Sequence, residues 1–282
     1  MAVRAPSISV VVPTRDRANY LAVALASLAA QRPAPAHELL VVDDGSADAT
    51  AEVAARAGAR YLRQPAPLGL NAARNAGIRH TASELIAFVD DDVEAPPGWL
   101  AAIGEGAAHH PSAEAFGGPI HARLEGPAPR GCGRESAPIT SLDLGSDDRE
   151  VELVWGANMI FRRAAFERIG PFDETISGGG DEEEWLRRLR SGGGSVVYLA
   201  GAGLDHRRAG DDARLRSLMR VAYVRGRSAR SYDGRRGEVP GLAHELRVLA
   251  GCGWHTLRRA CPQGLVMGAH SAGRAREALR AG

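Results

Sequence analysis

Residues 39–46 read Leu-Leu-Val-Val-Asp-Asp-Gly-Ser, an apolar run typical of a β-strand that ends in two carboxylates and a Gly-Ser turn. Two further β-rich runs, at residues 8–13 and 84–90, also end in polar residues. Segments with helical apolar spacing separate these runs, at residues 20–28, 51–55 and 71–79. Strands that alternate with helices pair in parallel and bind ligands where their carboxyl ends meet the following loops. We therefore predict an α/β fold with a mainly parallel central sheet and a site at these polar strand ends.

The rest of the chain changes character twice. Residues 117–150 are rich in Gly, Pro and Ser, which predicts an irregular loop. Strand patterns resume at residues 151–155 and 195–199, and a helix is predicted over 181–190 between them. After Arg208 the pattern is helical and basic, which predicts a basic α-helical C-terminal segment.

Composition argues against several classes of protein. The chain has 282 residues, of which 44% are hydrophobic and 24% charged, which argues against a disordered chain. No apolar run approaches the roughly 18 residues of a membrane-spanning helix. The start of the sequence lacks the apolar core of a secretory signal, so we expect a cytoplasmic protein. Its three cysteines, Cys132, Cys252 and Cys261, form no CxxC pair, which argues against a disulfide framework or a zinc knuckle and favours reduced thiols.

Three adjacent carboxylates, Asp90, Asp91 and Asp92, end the third β-rich run. They would repel one another unless a cation or several hydrogen-bond donors were present. Because side chains alternate along a strand, Asp90 and Asp92 point one way and Asp91 the other. The first and third can therefore share a hard divalent metal ion. An acidic loop is often only solvated surface, but Asp43 and Asp44 at a neighbouring strand end make that interpretation the weaker one.

Motifs in a fixed order link the chain to a known family. They are residues 12–17 (Val-Pro-Thr-Arg-Asp-Arg), 42–46 (Val-Asp-Asp-Gly-Ser), 71–77 (Asn-Ala-Ala-Arg-Asn-Ala-Gly), 90–92 (Asp-Asp-Asp), 155–163 (Trp-Gly-Ala-Asn-Met-Ile-Phe-Arg-Arg), and 172–174 (Phe-Asp-Glu) followed by 179–182 (Gly-Gly-Asp-Glu). In this order they resemble the family 2 glycosyltransferases, over residues 7–208. A dinucleotide-binding Rossmann domain is excluded because no GxGxxG follows the first strand.

The resemblance implies a GT-A type fold, which is a Rossmann-like, three-layer α/β architecture. It further implies a glycosyltransferase domain over residues 1–208, with a nucleotide-binding half at 1–116 and an acceptor-binding half at 117–208. A helical C-terminal segment would follow at 209–282.

The resemblance also assigns roles to single residues. The donor would be a nucleoside-diphosphate sugar linked to UDP, GDP or dTDP. The residues implied to bind its nucleotide are Pro13, Thr14, Arg15, Asp43, Asp44, Arg74, Asn75, Asp90 and Asp91. Asp92 would bind the Mn²⁺ or Mg²⁺ that bridges the two phosphates, and a neutral imidazole at His206 would complete the metal sphere. The alternative interpretations are a helix-surface charge for Arg74 and a hydrogen-bonded histidine at a domain edge for His206.

Residues 181–184 place four acids at the start of a predicted helix. The last two are explained by the helix dipole and by pairs with arginines one turn later. Asp181 and Glu182 occupy the place of the family's Glu-Asp pair, but in reversed order. Either is therefore a candidate for the general base. Glu182 is favoured because it stands second in the pair, where the family's base usually lies. The implied reaction is an inverting transfer in which this base deprotonates the acceptor.

Two rival functions stay open at this point. A sugar-phosphate nucleotidyltransferase normally has a Gly-rich loop and a basic residue after its first strand, which residues 12–15 do not match. A non-catalytic nucleotide-sugar-binding protein would be expected to lose the acids at 181 and 182. The sequence does not identify the acceptor.

The charge distribution concerns possible partners. Residues 207–282 contain 16 Arg against 6 Asp and Glu, a net charge of +10 against −9 for the first 206 residues. This predicts either a helical subdomain over the acceptor side or peripheral attachment to the anionic inner face of a membrane. Binding of nucleic acid is disfavoured, because the first 206 residues are acidic and few aromatic residues interleave with the arginines.

Overall fold

A computed structural model of the chain describes residues 6–134, 138–237 and 239–280, and of residues 235 and 236 the backbone alone. The described residues form two compact units. The first unit comprises those within Met1–His121, Thr140–Thr175 and Asp181–His206, and the second those within Ala122–Ile139, Ile176–Gly180 and Arg207–Gly282. The division of the sequence into functional parts at residues 116 and 208 stays a prediction.

The two units are built from the following elements. The strands are β1 (Ile8–Thr14), β2 (His37–Asp43), β3 (Arg60–Arg63), β4 (Leu85–Val89), β5 (Val93–Glu94), β6 (Ala115–Gly117), β7 (Ile120–Leu124), β8 (Arg149–Glu150), β9 (Asn158–Arg162), β10 (Val196–Tyr198) and β11 (Leu204–Arg208). The helices are α1 (Ala18–Ala29), α2 (Thr50–Arg56), α3 (Leu70–His80), α4 (Trp99–His109), α5 (Arg163–Ile169), α6 (Asp181–Ser191), α7 (Leu215–Arg236), α8 (Leu242–Arg259) and α9 (Gln263–Arg280), with a 3₁₀ turn at Gly210–Ala213.

An eight-stranded sheet in the order β3-β2-β1-β4-β9-β6-β10-β8 forms the centre of the first unit. Strand β1 pairs in parallel with β2 and β4, β2 with β3, and β6 with β10. Strand β9 runs antiparallel to β4 and β6, and β8 antiparallel to β10. The mainly parallel sheet is therefore confirmed, and the carboxyl ends of β1, β2 and β4 meet at one edge. A second sheet has three strands in the order β5-β11-β7.

Helices cover both faces of the large sheet. Because side chains alternate along β1, Val10 and Val12 lie in an apolar core with residues of α1 and α4, whereas Val11 lies in another with residues of α3, α5 and α6. The three-layer α/β architecture predicted from the sequence is confirmed.

An aromatic cluster fixes the start of α6. Its rings come from Phe88, Phe161, Phe166, Phe172 and Trp185. Phe161 and Trp185 meet edge to face with ring centroids 4.7 Å apart, a favoured aromatic geometry. The Trp185 indole also donates to the Gly170 carbonyl at 2.9 Å. Trp185 lies one turn after Asp181, so this packing positions the acidic first turn of α6.

The predicted strand at residues 151–155 is wrong. These residues have no regular structure, and strand β9 begins only at Asn158. The apolar pattern there has another cause, since Val154 is fully buried in the apolar core without joining a ladder. The predicted irregular loop at 117–150 also contains β7 and β8, and its residues 135–137 lie outside the described part of the chain.

The second unit contains the predicted basic helices. Leu218 of α7, Val266 of α9 and Ile139 share a small apolar core. A Cβ on Gly226 of α7 would clash with the His270 carbonyl of α9, so glycine permits the close approach of these helices. Among the described residues, no helix combines the length and the apolar character needed to cross a lipid bilayer.

A buried ion network joins the three helices of the second unit. Glu245 of α8 is 2% exposed and accepts a hydrogen bond from Arg274 Nε of α9 at 2.8 Å. Arg230 Nη1 of α7 lies 3.3 Å from the same carboxylate, and Arg274 Nη1 lies 2.9 Å from Asp233. Part of the basic charge of the C-terminal segment therefore stabilises its own fold.

We expect Glu245→Ala to lower the free energy of unfolding by about 3 kcal/mol, because it leaves two largely buried guanidinium groups without their shared carboxylate. Urea unfolding followed by far-UV circular dichroism measures this change. Glu277→Ala on α9 is the matched control, since Glu277 is more exposed than Glu245 and pairs with Arg227 of α7. A loss for Glu245→Ala no larger than that of the control would contradict a stabilising role for the network.

Candidate active site

The carboxyl end of β4 brings together three of the predicted site residues. One oxygen each from Asp90 and Asp92 and one ring nitrogen of His206 lie within 4.8 Å of one another. His206 is held there because it is the register partner of Val93, the residue that follows Asp92, in the antiparallel pair of β11 and β5. Two carboxylates and an imidazole are thus assembled from distant parts of the sequence.

The environment of His206 fixes which ring nitrogen faces the carboxylates. Its Nδ1 lies 3.0 Å from the Thr140 carbonyl, and because a carbonyl only accepts, Nδ1 holds a proton. Its Nε2 lies 3.1 Å from Asp92 Oδ1. Burial opposes protonation of the ring, but the hydrogen bond and charge of Asp92 outweigh it and raise the pKa of His206.

The donor chemistry of this cluster fits the metal that the resemblance implies. Carboxylate oxygens suit Mg²⁺ and Mn²⁺, and imidazole is a common additional ligand of transition ions. The hydrogen bond from Nδ1 to a backbone carbonyl is the usual support for a histidine that binds through Nε2. Asp90, Asp92 and His206 could therefore hold a divalent cation.

Asp91 lies outside that cluster, in the turn between β4 and β5, so the alternation expected for a strand does not apply to residues 90–92. Its Oδ2 accepts a hydrogen bond from Thr14 Oγ1 at 2.7 Å, and its Oδ1 lies 3.0 Å from Arg17 Nη1. The second guanidinium nitrogen, Arg17 Nη2, lies 2.8 Å from Asp92 Oδ2. Burial raises the pKa of Asp91 to about 7, although Arg17 opposes the rise. Arg17 compensates part of the negative charge of the acidic loop.

The predicted nucleotide-binding residues Pro13, Thr14 and Arg15 lie at the end of β1, at the same edge of the sheet. Pro13 is the register partner of Val42 in β2, and the Thr14 carbonyl accepts a hydrogen bond from the Asp44 backbone at 2.9 Å. Arg15 is exposed. The chain thus places these residues between the carboxyl ends of β2 and β4.

Asp43 at the end of β2 is fully buried in a cradle of donors. Its carboxylate accepts hydrogen bonds from the Ser46 amide at 2.7 Å, from Arg63 Nη1 at 3.1 Å and from the Tyr61 hydroxyl. Burial acts to raise the pKa of Asp43, but these donors outweigh it and hold the pKa below its usual value. Asp43 is therefore an ionised acceptor at neutral pH.

Asp44 shapes the turn that leads into α3. It accepts hydrogen bonds from Gln64 Nε2 at 2.9 Å and from the amides of Leu68 and Gly69 at 2.7 and 3.0 Å. Gly69 has a φ of 98°, which favours glycine at this position. Because α3 begins at the next residue, Asp44 positions the helix that contains Arg74 and Asn75.

Arg74 and Asp181 form a buried ion pair at the start of α6. Arg74 is 2% exposed and Asp181 5%, and Arg74 Nη1 donates to Asp181 Oδ2. Gly156 leaves room for this guanidinium, since a side chain there would collide with it. The Gly156 amide also donates to Glu182 Oε1 at 3.4 Å. Burial and the charge of Asp181 raise the pKa of Glu182 to about 8, against the opposing effect of Arg74.

Asn75 binds residues 172–174, which precede helix α6. Its Nδ2 donates to the Phe172 carbonyl at 3.0 Å and to Glu174 Oε1 at 2.8 Å, and its Oδ1 accepts from the Phe172 amide at 3.0 Å. These bonds occupy both the donor and the acceptor groups of the amide. The predicted contact of Asn75 with the nucleotide stays a prediction.

Comparison with known proteins shows the family. The family model described as glycosyl transferase family 2 matches residues 9–170, more than half of the chain. The chain belongs to glycosyl transferase family 2. The resemblance drawn from the sequence motifs is confirmed.

Curated relatives of this family 2 chain match part of their own length. The pre-mycofactocin glycosyltransferase of Mycobacterium tuberculosis is 31% identical over 194 residues, which cover 66% of this chain and 39% of the relative. The validoxylamine A glucosyltransferase of Streptomyces hygroscopicus subsp. limoneus is 30% identical over 223 residues, covering 67% of this chain and 49% of the relative. The chain thus spans less than half the length of these two relatives.

Solved structures show the fold. The mannosyltransferase PcManGT from Pyrobaculum calidifontis, in complex with GDP-Man and Mn²⁺, matches with a TM-score of 0.67 at 15% identity and covers 99% of this chain and 88% of its own. S. aureus TarS 1-349, in complex with UDP-GlcNAc, matches with a TM-score of 0.56 at 15% identity, covering 98% and 92%. The GT-A type fold of the family 2 chain is confirmed.

Three side chains at this site were not predicted from the sequence, namely Arg17, Tyr61 and Arg63. Arg17 ends the motif at residues 12–17, and three adjacent carboxylates call for a nearby cation, so a signal was present. Tyr61 and Arg63 are two residues apart and therefore lie on the same face of β3. The apolar pattern did not reveal this strand of four residues.

Proposed function

We propose that the protein is a metal-dependent, inverting glycosyltransferase that moves a sugar from a nucleoside-diphosphate sugar to an acceptor. The observation that supports this most directly is the Asp90, Asp92 and His206 cluster at the end of β4 in a chain of this family. A neighbour of the same fold was solved with GDP-Man and Mn²⁺, which supports the same interpretation.

In this proposal Asp92 and His206 hold the divalent ion, and Asp90 accepts a hydrogen bond from a ribose hydroxyl. When bound, the ion supplies positive charge to the diphosphate leaving group. Arg17 orients the Asp92 carboxylate and compensates part of its charge, since its Nη2 lies 2.8 Å from Oδ2. His206 is oriented in the same way by the Thr140 carbonyl.

Glu182 is the proposed general base. Asp181 is committed to the buried ion pair with Arg74, which holds its carboxylate against that guanidinium and away from the role of a base. Glu182 lacks such a close cation, and burial gives it a pKa of about 8, near the value that suits proton transfer at neutral pH. The proton of the acceptor hydroxyl therefore moves to a carboxylate oxygen of Glu182 as the acceptor oxygen attacks the anomeric carbon. The bond from that carbon to the diphosphate oxygen breaks, and the nucleoside diphosphate leaves with its electron pair.

The nucleotide is proposed to bind at the carboxyl ends of β1, β2 and β4. Asp43 is the proposed acceptor for a ring N–H of the base, because its carboxylate is ionised. Tyr61 and Arg63 cover this carboxylate, so one of them gives up its hydrogen bond to the base. Pro13 and Thr14 at the end of β1, and Arg15 after it, lie next to this site. Asp91 holds Thr14 in place by accepting a hydrogen bond from its hydroxyl. Asp44 contributes by positioning α3, the helix that contains Arg74 and Asn75. Asn75 contributes by binding the segment that begins at Phe172.

A thermal-shift panel of UDP-, GDP- and dTDP-sugars, each with and without Mn²⁺, tests donor binding. We expect one nucleotide class to raise the melting temperature only when Mn²⁺ is present, because a ligand at 100 times its Kd stabilises by about 2.7 kcal/mol. The matching nucleoside monophosphate is the control, since it lacks the second phosphate. No Mn²⁺-dependent shift with any sugar nucleotide would contradict the proposal.

The end of α8 supports a second proposal, that the protein binds an anionic membrane that presents the acceptor. Trp254 is 61% exposed and Leu257 82%, and both lie beside the exposed Arg258 and Arg259. Amphipathic helices with exposed aromatic and basic residues bind anionic interfaces in this way. The cytoplasmic location expected from the sequence stays a prediction.

Sedimentation with anionic and neutral vesicles tests membrane binding. We expect salt-sensitive binding to anionic vesicles that Arg258→Gln with Arg259→Gln weakens about 30-fold, because each basic residue near such a surface contributes about 1 kcal/mol. Arg216→Gln with Arg220→Gln on α7 is the matched control. Equal binding to both vesicle types would contradict attachment to an anionic membrane.

A further inference from the structure

A second cluster of metal-binding side chains lies within the second unit. Sγ of Cys132, one ring nitrogen of His255 and Sγ of Cys261 all lie within 4.8 Å of one another. Cys132 Sγ is 3.5 Å from His255 Nε2. Cys261 is 1% exposed, and the other two residues are partly buried. None of the cysteines in the described residues forms a disulfide.

The backbone at the end of α8 brings two of these ligands together. The helix ends at Arg259, and the φ of 48° at the following residue, Ala260, reverses the chain. The Cys261 amide then donates to the Thr256 carbonyl at 3.1 Å, which places Cys261 back against the last turn. Gly264 of α9 approaches this last turn closely, since a Cβ there would clash with Thr256 Oγ1 and would lie 3.1 Å from His255 Cδ2.

Cys132 comes from residues 125–134, which follow β7 more than a hundred residues earlier in the chain. It lies next to Gly133, whose φ of 74° permits a sharp turn. The cluster thus joins an irregular segment to the α8–α9 corner of the same unit.

The ligand set selects the class of metal. Thiolates and imidazole are soft to borderline ligands that bind Zn²⁺ and exclude Mg²⁺ and Ca²⁺. A tetrahedral Zn²⁺ with bonds of about 2.0–2.3 Å separates its ligand atoms by about 3.3–3.8 Å. The Cys132–His255 separation of 3.5 Å already lies in that range. Side-chain movement of about 1 Å brings atoms 4.8 Å apart to the same spacing.

We propose that Cys132, His255 and Cys261 form a zinc site that fastens residues 125–134 to α8 and α9. Binding replaces the two thiol protons, so that Zn²⁺ joins two thiolates and one neutral imidazole and two protons pass to the buffer. Water occupies the fourth position. The site is independent of the proposed glycosyl transfer, because it shares no ligand with the Asp90, Asp92 and His206 cluster.

Co²⁺ titration of the full chain, stripped with chelator under reducing conditions, tests this site. Co²⁺ bound by thiolates gives an intense sulfur-to-metal charge-transfer band that an oxygen-rich site does not give. We expect this band to saturate at one equivalent and to disappear when Zn²⁺ is added. The band does not depend on binding of the sugar nucleotide. Failure of the zinc-site proposal can therefore be told apart from failure of the glycosyltransferase proposal.

Matched variants assign the ligands. We expect Cys132→Ser, His255→Ala and Cys261→Ser each to lose the band, whereas Cys252→Ser and His244→Ala on α8 retain it. Cys132 lies outside the helices, so its variant keeps the helical circular dichroism and reports binding alone. In wild-type protein, Zn²⁺ should also slow alkylation of Cys132 by iodoacetamide, as measured by mass spectrometry.

Three outcomes would overturn the proposal. The first is the absence of a charge-transfer band in reduced wild-type protein. The second is a band that persists in Cys132→Ser or that Cys252→Ser abolishes. The third is alkylation of Cys132 at the same rate with and without Zn²⁺.

Discussion

Glu182→Gln is expected to lower kcat by at least about 10²-fold and to leave the affinity for the nucleoside diphosphate unchanged, because a general base acts on the acceptor and not on the nucleotide. Steady-state kinetics and calorimetric titration measure the two quantities. Glu183→Gln, one residue further along α6, is the matched control and should retain activity.

The pH dependence of the wild-type enzyme gives an independent test of the same role. The base must be deprotonated to act, and burial beside Asp181 raises the pKa of Glu182 to about 8. We therefore expect kcat to rise with pH up to about 8 and then to level off, and this rise should be absent from the residual activity of Glu182→Gln.

Asp181→Asn distinguishes the two acids. It removes the partner of buried Arg74, so we expect mainly a lower melting temperature. If Asp181→Asn is inactive with an unchanged melting temperature while Glu182→Gln is active, the roles are reversed and Asp181 is the base.

Asp92→Asn is expected to abolish the part of donor binding that depends on Mn²⁺. The substitution keeps the shape of the side chain but removes the charge that faces His206 and Arg17. Calorimetric titration of nucleoside diphosphate with and without Mn²⁺ measures the effect. His206→Ala should weaken the same binding by less, because a neutral ligand contributes less to the charge balance.

Asp91→Asn is the matched control for the acidic loop, because Asp91 faces Thr14 and lies outside the Asp90, Asp92 and His206 cluster. It should keep the Mn²⁺ dependence of nucleotide binding. Unchanged Mn²⁺ dependence in Asp92→Asn would remove Asp92 from the metal site.

Much of the sheet was predictable because its signals are local. The apolar runs that end in Asp43 and Asp90 fixed strands β2 and β4 within one or two residues. Strand alternation was a poor guide to Asp91, because residues 90–92 follow β4 outside any strand and the Arg17 guanidinium contacts both Asp91 and Asp92. Residues 151–155 misled the prediction because burial of Val154 in the core produces the same apolar pattern as a strand.

Contacts between distant residues set the limits of prediction. Arg17 and Asp92 are 75 residues apart, and Arg74 and Asp181 are 107 apart, so no local pattern connects them. Cys132 and His255 are separated by 123 residues, and without a CxxC pair the sequence favoured isolated thiols. The fold supplies these contacts by bringing distant loops and helix ends together.

Release of product from sugar nucleotides tests the central claim most directly. The chelator-treated protein is incubated with UDP-, GDP- and dTDP-sugars and with water or a panel of sugar and lipid-linked acceptors, and nucleoside diphosphate and pyrophosphate are measured separately. The account predicts nucleoside diphosphate release from one donor class that requires added Mn²⁺ or Mg²⁺ and is lost in Asp92→Asn. Release of pyrophosphate, or nucleoside diphosphate release that is equal in chelator and in Mn²⁺, would contradict it.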